Sequence, residues 1–213
     1  MRTWLRGWCA LTLFGFLSAC TTIQLEPLPE GMTDQPPANW ASRSELLSHF
    51  DHWQLMGKLA VKQPSNSGSA VVNYWVQDGQ SYDIALSSSF LGMGNTTLKG
   101  TPGFIELTLS SGDSYRSAEP EVLVEAATGW HLPLNHLVWW IRGLPAPEGD
   151  FRLLFDGDQQ LAIIKQAGWE IRYDRWRQFL PDYPPLPARI TALNGEKRVR
   201  LAISAWTSTE NTR

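Results

Sequence analysis

The chain has 213 residues, enough for one large domain or two small ones, and 43% of them are hydrophobic and can form a core. A net charge of −3 with 18% charged residues is not basic enough for a nucleic-acid scaffold and not extreme enough for disorder. The 2 cysteines, Cys9 and Cys20, lie among the first 20 residues, which excludes a cysteine-based zinc or redox site in the rest of the chain.

Residues 1–19 have the pattern of a signal peptide. Arg2 and Arg6 form a short basic region, and residues 8–17 are an apolar run too short to span a bilayer. The alternative, a buried N-terminal helix, is disfavoured because a polar, proline-rich stretch follows at once. Residues 17–20 (Leu-Ser-Ala-Cys) resemble the bacterial lipobox, which implies cleavage before Cys20 and covalent lipid on that residue. By the same resemblance, Thr21 in place of aspartate implies the outer membrane.

Cleavage at this site would change the composition of the mature chain. Arg2 and Arg6 would leave, so 16 basic residues would stand against 21 acidic ones, a net charge of −5. No disulfide could form, although the predicted compartment is the oxidising periplasm. We therefore expect packing alone to stabilise the fold.

The predicted elements begin after an extended tether over residues 20–40, which contains Pro27, Pro29, Pro36 and Pro37. A helix is predicted over 42–50, with Ser42 and Glu45 spaced as a capping box. Period-two patterns then predict strands over 53–63, 69–77, 81–87, 95–99 and 104–110, joined by short turns such as that at Gly79.

Two helices follow, over 119–128 and 134–142, ending before Gly129 and Gly143. Strands resume over 151–155, 161–166, 169–179, 189–193 and 198–206, with prolines breaking the pattern from 181 to 187. Sequential strands with tight turns predict an antiparallel sheet, and a sheet of 10–11 strands should curl, with the helices against its hollow face. The fold class is therefore mainly β with α (α+β).

The sequence contains no pattern of residues that predicts a catalytic or metal-binding site. The four histidines (His49, His52, His131 and His136) lack metal-ligand spacing, so solvated or capping roles are favoured, and no nucleophile elbow is present. Gly92-Met93-Gly94 opens a strand rather than a helix, which excludes a phosphate cradle there. We predict a non-enzyme without cofactor or metal.

Apolar residues occur in an unusual place between the third and fourth strands. This hairpin loop contains Phe90, Leu91 and Met93 between serines and glycines, whereas hairpin loops are normally polar. The loop either folds back on the core or protrudes and touches lipid or an apolar partner. Similarly, the 11 tryptophans either serve ordinary packing or form walls of an apolar cavity.

Segments spread over residues 53–149, and more loosely to 206, resemble the LolB family of outer-membrane lipoprotein receptors. In family order they are Gly57-Lys58-Leu59-Ala60, Asn73-Tyr74-Trp75, Ile84-Ala85-Leu86, Phe90-Leu91-Gly92, Gly100-Thr101-Pro102-Gly103, Leu132-Pro133-Leu134 and Trp140-Ile141-Arg142-Gly143-Leu144-Pro145. The resemblance implies a curved, unclosed antiparallel half-barrel over residues 41–207 with helices covering a hydrophobic cavity, and a C-terminal tail over 208–213.

The same resemblance implies a function without covalent chemistry. The protein would accept lipoproteins from the periplasmic carrier LolA and insert them into the inner leaflet of the outer membrane without ATP. Leu91, with Phe90 and Met93, would enter the membrane, although the family more often has proline where Phe90 stands. The expected partners are LolA, cargo acyl chains and outer-membrane phospholipid, with no nucleic acid; the chain itself is expected to be monomeric.

The cavity wall is predicted from strand faces and one helix. The residues are Tyr82, Ile84, Leu86, Ile105, Leu107, Leu109, Leu137 and Trp140. A register step of one residue would turn every strand residue of this set to the other face. Two other functions stay open: a structural or assembly lipoprotein that binds a protein partner through the apolar loop, and, least favoured, a hydrolase.

Overall fold

A computed structural model describes residues 29–64, 66–88 and 94–209. The helices are α1 (Trp40–Ser48), α2 (Pro120–Thr128) and α3 (Leu134–Trp140). The strands are β1 (His52–Lys62), β2 (Ser67–Asp78), β3 (Ser81–Ser88), β4 (Gly94–Thr101), β5 (Phe104–Thr108), β6 (Ser114–Ser117), β7 (Phe151–Phe155), β8 (Leu161–Gln166), β9 (Trp169–Arg177), β10 (Leu186–Asn194) and β11 (Lys197–Ser208). Cys20 and residues 89–93, to which the lipid and membrane roles were assigned, lie outside the described residues.

All strands join one antiparallel sheet of 11 strands in the order β6-β5-β4-β3-β2-β1-β11-β10-β9-β8-β7. The order is linear, so β6 and β7 are the two edges and the curved sheet does not close. Nearly every neighbour is a hairpin partner; the exception is the central pair, in which β1 pairs with β11 from Trp53↔Ser208 to Lys62↔Arg198. The predicted fold class, an unclosed antiparallel half-barrel with helices, is confirmed.

Burial alternates along the strands, which gives the sheet one apolar and one polar face. In β1, Leu55, Leu59 and Val61 point into the core, whereas Lys58 and Lys62 are exposed. The apolar face packs against the helices, and Val124 of α2 and Leu137 of α3 belong to the same buried cluster. We call the face that carries the helices concave and the opposite face convex.

Local sequence explains why α2 begins and ends where it does. Pro120 occupies the first helical turn, where its missing N–H leaves no bond unmade. Glu121 in the same turn is favoured by the helix dipole. Gly129 has φ +70°, the left-handed conformation that the predicted terminal glycine supplies without a Cβ penalty.

The first helix differs from its prediction. It begins at Trp40 after Asn39 and has no side-chain cap, so the predicted capping box of Ser42 and Glu45 is wrong. Instead, Ser42 Oγ donates to the carbonyl oxygen of Asn39 at 3.0 Å. Leu46 is 45% exposed, whereas Leu47 and Phe50 are buried.

The strand predictions differ from the structure in three places. The short polar strand β6 was missed because Ser114–Ser117 carries no apolar alternation. β10 already contains Pro187, at a register shift where the ladder is irregular. β11 extends past its predicted end at residue 206 to Ser208, and a register shift opposite Met56 and Gly57 places Trp206 in the core.

Candidate functional site

A largely enclosed cavity lies between the concave face of the sheet and the helices α2 and α3. Its free volume is about 50 Å³. It is lined by side chains from six strands, from both helices and from the segment between them: Leu59, Val72, Trp75, Ile84, Leu86, Thr96, Leu98, Val124, Thr128, Trp130, Leu132, Leu134, Leu137, Ile190, Ala192, Val199 and Leu201.

The lining is apolar except for two threonines. Thr128 Oγ1 donates to the carbonyl oxygen of Val124 at 2.7 Å and accepts from the backbone N–H of Trp130 at 3.0 Å, so its hydroxyl is used within the helix end. A wall of this kind offers little to a polar ligand, and comparable apolar cavities stay dry and bind hydrocarbon. The site is therefore chemically suited to an aliphatic chain.

The cavity is small in this conformation. One water molecule needs roughly 10–15 Å³ of free volume measured in this way, so about 50 Å³ has room for only a few. A fatty acyl chain is many times larger, which means that the walls must separate before one can enter.

The helix α2 is attached to the sheet mainly by apolar contacts. Val124 and Thr128 lie one helical turn apart and both face the cavity, while Val122 is 57% exposed on the opposite side. A hydrogen bond from Asn66 Nδ2 to the carbonyl oxygen of Thr128, at 3.2 Å, joins the end of α2 to the turn before β2. Separation of α2 would expose few polar groups that lack partners.

The end of α3 is attached quite differently, through Gln166 of β8. Its Oε1 accepts from Trp140 Nε1 at 3.0 Å and from the backbone N–H of Ala146 at 2.8 Å. Its Nε2 donates to the carbonyl oxygens of Ala146 and Glu148 at 2.8 and 2.9 Å. Tyr173 Oη adds a bond to the carbonyl oxygen of Trp140 at 2.8 Å, and these directed bonds fix the chain after α3.

Arg142, two residues beyond α3, is 2% exposed and joins α3 to α1. Its guanidinium donates to the carbonyl oxygens of Val138 at 3.1 Å, Leu47 at 3.2 Å and Phe50 at 2.8 Å, and it lies over the ring of Trp139. Burial lowers the pKa of Arg142 to about 10, and the charge of Asp51 opposes that shift. Carbonyl dipoles thus hold a buried cation whose role is to fasten two helices.

Tyr82 lies on the same strand face as Ile84 and Leu86 but towards the other end of β3. Its ring occupies the space left by Gly100, where an added Cβ would lie 2.1 Å from Tyr82 Cζ. Tyr82 Oη is buried with no hydrogen-bond partner among the described residues. Burial raises the pKa of Tyr82 to about 12.

The structure places the eight predicted cavity residues in two groups. Ile84, Leu86 and Leu137 line the cavity. Ile105, Leu107 and Trp140 are fully buried in the surrounding core, and Tyr82 and Leu109 are half-buried against it. Contact of any of them with an acyl chain stays a prediction.

Sequence reasoning missed the contributions of α2 and of the last hairpin. Val199 and Leu201 lie two residues apart in the strand predicted over 198–206, and this alternation is the signal that could have placed them here. Ile190 and Ala192 of β10 face them across the ladder. Val124 and Thr128 lie in the helix predicted over 119–128, but no residue of that helix was predicted to line the cavity, and Trp130 lies beyond its end.

The histidines are used locally. His52 lies between the carboxylates of Asp51 and Asp78, at 2.7 and 2.9 Å, and His49 Nδ1 lies 2.9 Å from the carbonyl oxygen of Glu45 in α1. Within residues 29–64, 66–88 and 94–209, no group of three or more His, Cys, Asp or Glu could hold a metal ion. No helix in these ranges is both long and apolar enough to cross a bilayer.

Comparison with known proteins gives one consistent family. Residues 51–206 match the family model "Outer membrane lipoprotein LolB". An outer-membrane lipoprotein LolB from Marinobacter nauticus is 69% identical over 194 residues, covering 91% of this chain and 93% of that protein. One from Pseudomonas fluorescens is 37% identical, covering 95% of this chain and 96% of that protein.

The similarity to solved structures is weaker than the similarity to these two sequences. A LolA superfamily protein from Nitrosomonas europaea has a TM-score of 0.47 and 10% sequence identity, over 79% of this chain and 94% of that chain.

Proposed function

This chain belongs to the LolB family of outer-membrane lipoproteins, and on that premise we propose that it receives the acyl chains of lipoproteins in its apolar cavity. The donor would be the periplasmic carrier LolA, and the product a lipoprotein inserted into the inner leaflet of the outer membrane. The observation that carries the proposal is the cavity beneath α2 and α3, whose wall is apolar apart from Thr96 and Thr128.

The energetics favour a protected transfer without ATP. Each buried CH₂ is worth about 0.8 kcal/mol, so an acyl chain of about 16 carbons costs on the order of 12 kcal/mol to leave in water. The acyl chains therefore need a covered route. The transfer needs no energy source, provided that this cavity binds the chains more tightly than the carrier does. The bilayer then accepts the acyl chains because it binds them more tightly than the cavity does.

Uptake requires the cavity to open, and the contacts around it suggest which part moves. We infer that α2 separates from the sheet, since its attachment is mostly apolar and the entering chain replaces the contacts that are lost. Trp140 and Arg142, with their hydrogen bonds to Gln166, Leu47 and Phe50, would hold the end of α3 in place.

Delivery would depend on two features outside the described residues. Lipid on Cys20 would keep the protein at the membrane, and Leu91, with Phe90 and Met93, would enter the bilayer. Only non-covalent contacts change in this sequence of steps, which agrees with the proposal that the protein is not an enzyme.

Uptake and delivery can be tested separately with a fluorescent lipoprotein, its LolA carrier and phospholipid vesicles. Leu137→Gln places a polar group in the cavity wall and should reduce transfer from the carrier about five- to a hundredfold, because a buried amide without partners costs about 1–3 kcal/mol. Val122→Gln, on the exposed side of α2, is the matched control and should transfer normally. Circular dichroism melting would show that both variants are folded.

Leu91→Glu should leave uptake intact and block delivery into the vesicles. Normal uptake by a folded Leu137→Gln variant would contradict the cavity proposal. A co-purified protein partner without acyl chains would then favour the assembly-lipoprotein function.

A further inference from the structure

The convex face of the sheet carries an excess of positive charge around its central strands. We call five exposed residues of β1, β10 and β11 the basic face: Lys58, Lys62, Arg189, Arg198 and Arg200. The register brings them together, since Lys62 pairs with Arg198, while Ala202 pairs with both Lys58 and Arg189. Among the described residues, none of the five forms an ion pair.

Acidic residues near the basic face offset only part of its charge. Glu170 is occupied by Lys165 at 3.6 Å and by Arg172 at 2.6 Å. Asp174 accepts a hydrogen bond from Thr191 Oγ1 at 2.7 Å, and that hydroxyl accepts one from Arg200 Nε at 3.4 Å. With Glu196 in the turn between β10 and β11, two carboxylates stand against the five basic groups. In a chain of net charge −3, this excess is a strongly uneven distribution.

The convex face of the other half of the sheet provides a contrast. There Lys99 pairs with Asp83 at 3.5 Å, and Arg116 pairs with Glu106 at 3.1 Å. These two basic charges are matched locally, in contrast to the five residues of the basic face.

An open groove of about 470 Å³, with polar and apolar lining, begins at Lys58 and runs across the convex side of β2 to the ends of β3 and β4. Ser69, Ser87 and Asn95 line it, and it reaches Ser88 and Gly94, which pair with each other. Phe90, the first residue predicted to enter the membrane, stands two positions after Ser88 in the sequence. Strands lie about 4.8 Å apart, so β11 and β3 are separated by roughly 15 Å along the sheet.

We propose that the basic face and this groove bind the headgroups of anionic phospholipids at the membrane surface. Ammonium and guanidinium groups recognise phosphate, and the groove adds hydroxyl and amide groups that suit a headgroup. The inference rests on the proposed function, because it supposes that this protein works on a membrane.

The position of the basic face favours a membrane over an acidic protein partner. Cargo exchange with a carrier must take place where α2 and α3 cover the cavity, which is the concave side. The basic face lies on the convex side, close to the strand ends that precede the predicted insertion residues. Contact with lipid through this face would leave the helices free to meet the carrier.

The test uses the full, lipidated protein in vesicles, without carrier or cargo. Cys9 and Cys20 are the only cysteines and lie before or at the predicted processing site, so Ala60→Cys provides a unique thiol within the basic face. A fluorophore at this position should be quenched by headgroup-labelled lipid in vesicles of phosphatidylethanolamine with phosphatidylglycerol. It should be quenched little in phosphatidylcholine alone.

A double charge reversal gives the decisive comparison. Lys62→Glu with Arg198→Glu should abolish the quenching, because each basic charge lost shifts the ratio of bound to unbound face by roughly fivefold. Lys99→Glu with Arg116→Glu changes the net charge equally on the other half of the sheet and should leave the quenching unchanged. High salt should weaken it in the unmodified protein.

Three results would overturn the proposal: equal quenching in both lipid mixtures, quenching that survives the Lys62 and Arg198 reversal, and shielding of the fluorophore only when LolA is added. The last would identify the face as a protein contact. The proposed function is tested by a separate cargo-transfer assay. Failure of the lipid-binding proposal is therefore distinguishable from failure of the proposed function.

Discussion

The interior of the half-barrel has two regions that are held together by different forces. The cavity side consists of β1–β4, β10 and β11 with α2 and the start of α3, and its lining is apolar apart from two threonines. The packed side consists of β7–β9 with residues 140–148, where Gln166 and Tyr173 bind the chain through directed hydrogen bonds. The same sheet therefore borders a cavity on one side of the interior and closely packed side chains on the other.

The difference indicates which part of the protein can move. Apolar contacts can be exchanged for contacts with an acyl chain at little net change in free energy, since one hydrocarbon surface replaces another. Hydrogen bonds buried on the packed side cannot be exchanged in this way, because each broken bond leaves an unpaired group. In the proposed function, the packed side is therefore the fixed support against which the cavity side opens.

The largest expected effect is that of Gln166→Leu on the packed side. The substitution keeps roughly the same volume but leaves Trp140 Nε1, the N–H and carbonyl groups of Ala146, and the carbonyl of Glu148 unpaired. Each such group costs about 1–3 kcal/mol, so we expect a loss of about 3–5 kcal/mol in the free energy of unfolding, allowing for partial rearrangement. Urea unfolding of the variant and the unmodified protein measures this loss.

Gln63→Leu is the matched control. Gln63 is 9% exposed, but its Nε2 has no hydrogen-bond partner among the described residues. The substitution should change the stability by less than about 1 kcal/mol. Equal losses for both variants would mean that the packed side is not held by its hydrogen bonds.

A smaller effect of opposite sign is expected on the cavity side for Ala192→Val. Ala192 is 1% exposed and lines the cavity, so two added methyl groups should occupy empty space and raise the stability by about 1 kcal/mol. Transfer of cargo from the carrier should slow at the same time, because the entering chain loses that volume. Thermal melting and the transfer assay check the two outcomes, and a destabilised variant would show that the region is already filled.

The smallest effect is expected for Tyr82→Phe, near the cavity side. Removal of a buried hydroxyl without a partner should leave the stability unchanged or raise it by up to about 1 kcal/mol.

The effect of Tyr82→Phe should also depend on pH. The pKa of Tyr82 is raised from its ordinary value of 10.0 to about 12 in the folded protein, so burial favours the neutral phenol. Its contribution is complete below pH 10 and is lost as the pH rises through 12. The unmodified protein should therefore lose stability relative to the variant over that interval, in unfolding curves recorded across it.

Much of the fold could be predicted because it depends on local signals. Alternation located the strands, and glycines marked the turns and the end of α2, since their backbone angles are set by the adjacent chain. The strand β6 has no such signal, because its pairing with β5 is decided by the tertiary fold. The shift near Gly57 is also non-local, as it arises between strands from opposite ends of the chain.

The site could be predicted less completely. Sequence assigned Ile84, Leu86 and Ile105 to one face, but a face does not reveal which of its residues border empty space and which are covered. Gln166 and Arg142 carry no pattern that distinguishes a buried polar side chain from an exposed one. Their partners are backbone carbonyl and amide groups distant in sequence, which only the folded chain brings near.

The pairing of β1 with β11 has a consequence for the order in which the protein folds. Residues at the two ends of the domain, such as Trp53 and Ser208, are neighbours at the centre of the sheet. A chain that crosses the inner membrane from its N-terminus presents β1 long before β11, so the central ladder forms last. Contacts of such large sequence separation fold slowly, because loop closure precedes any gain from pairing. During that interval the apolar face of β1 and β2 is uncovered, and the newly exported chain itself would need protection of the kind that we propose it gives to others.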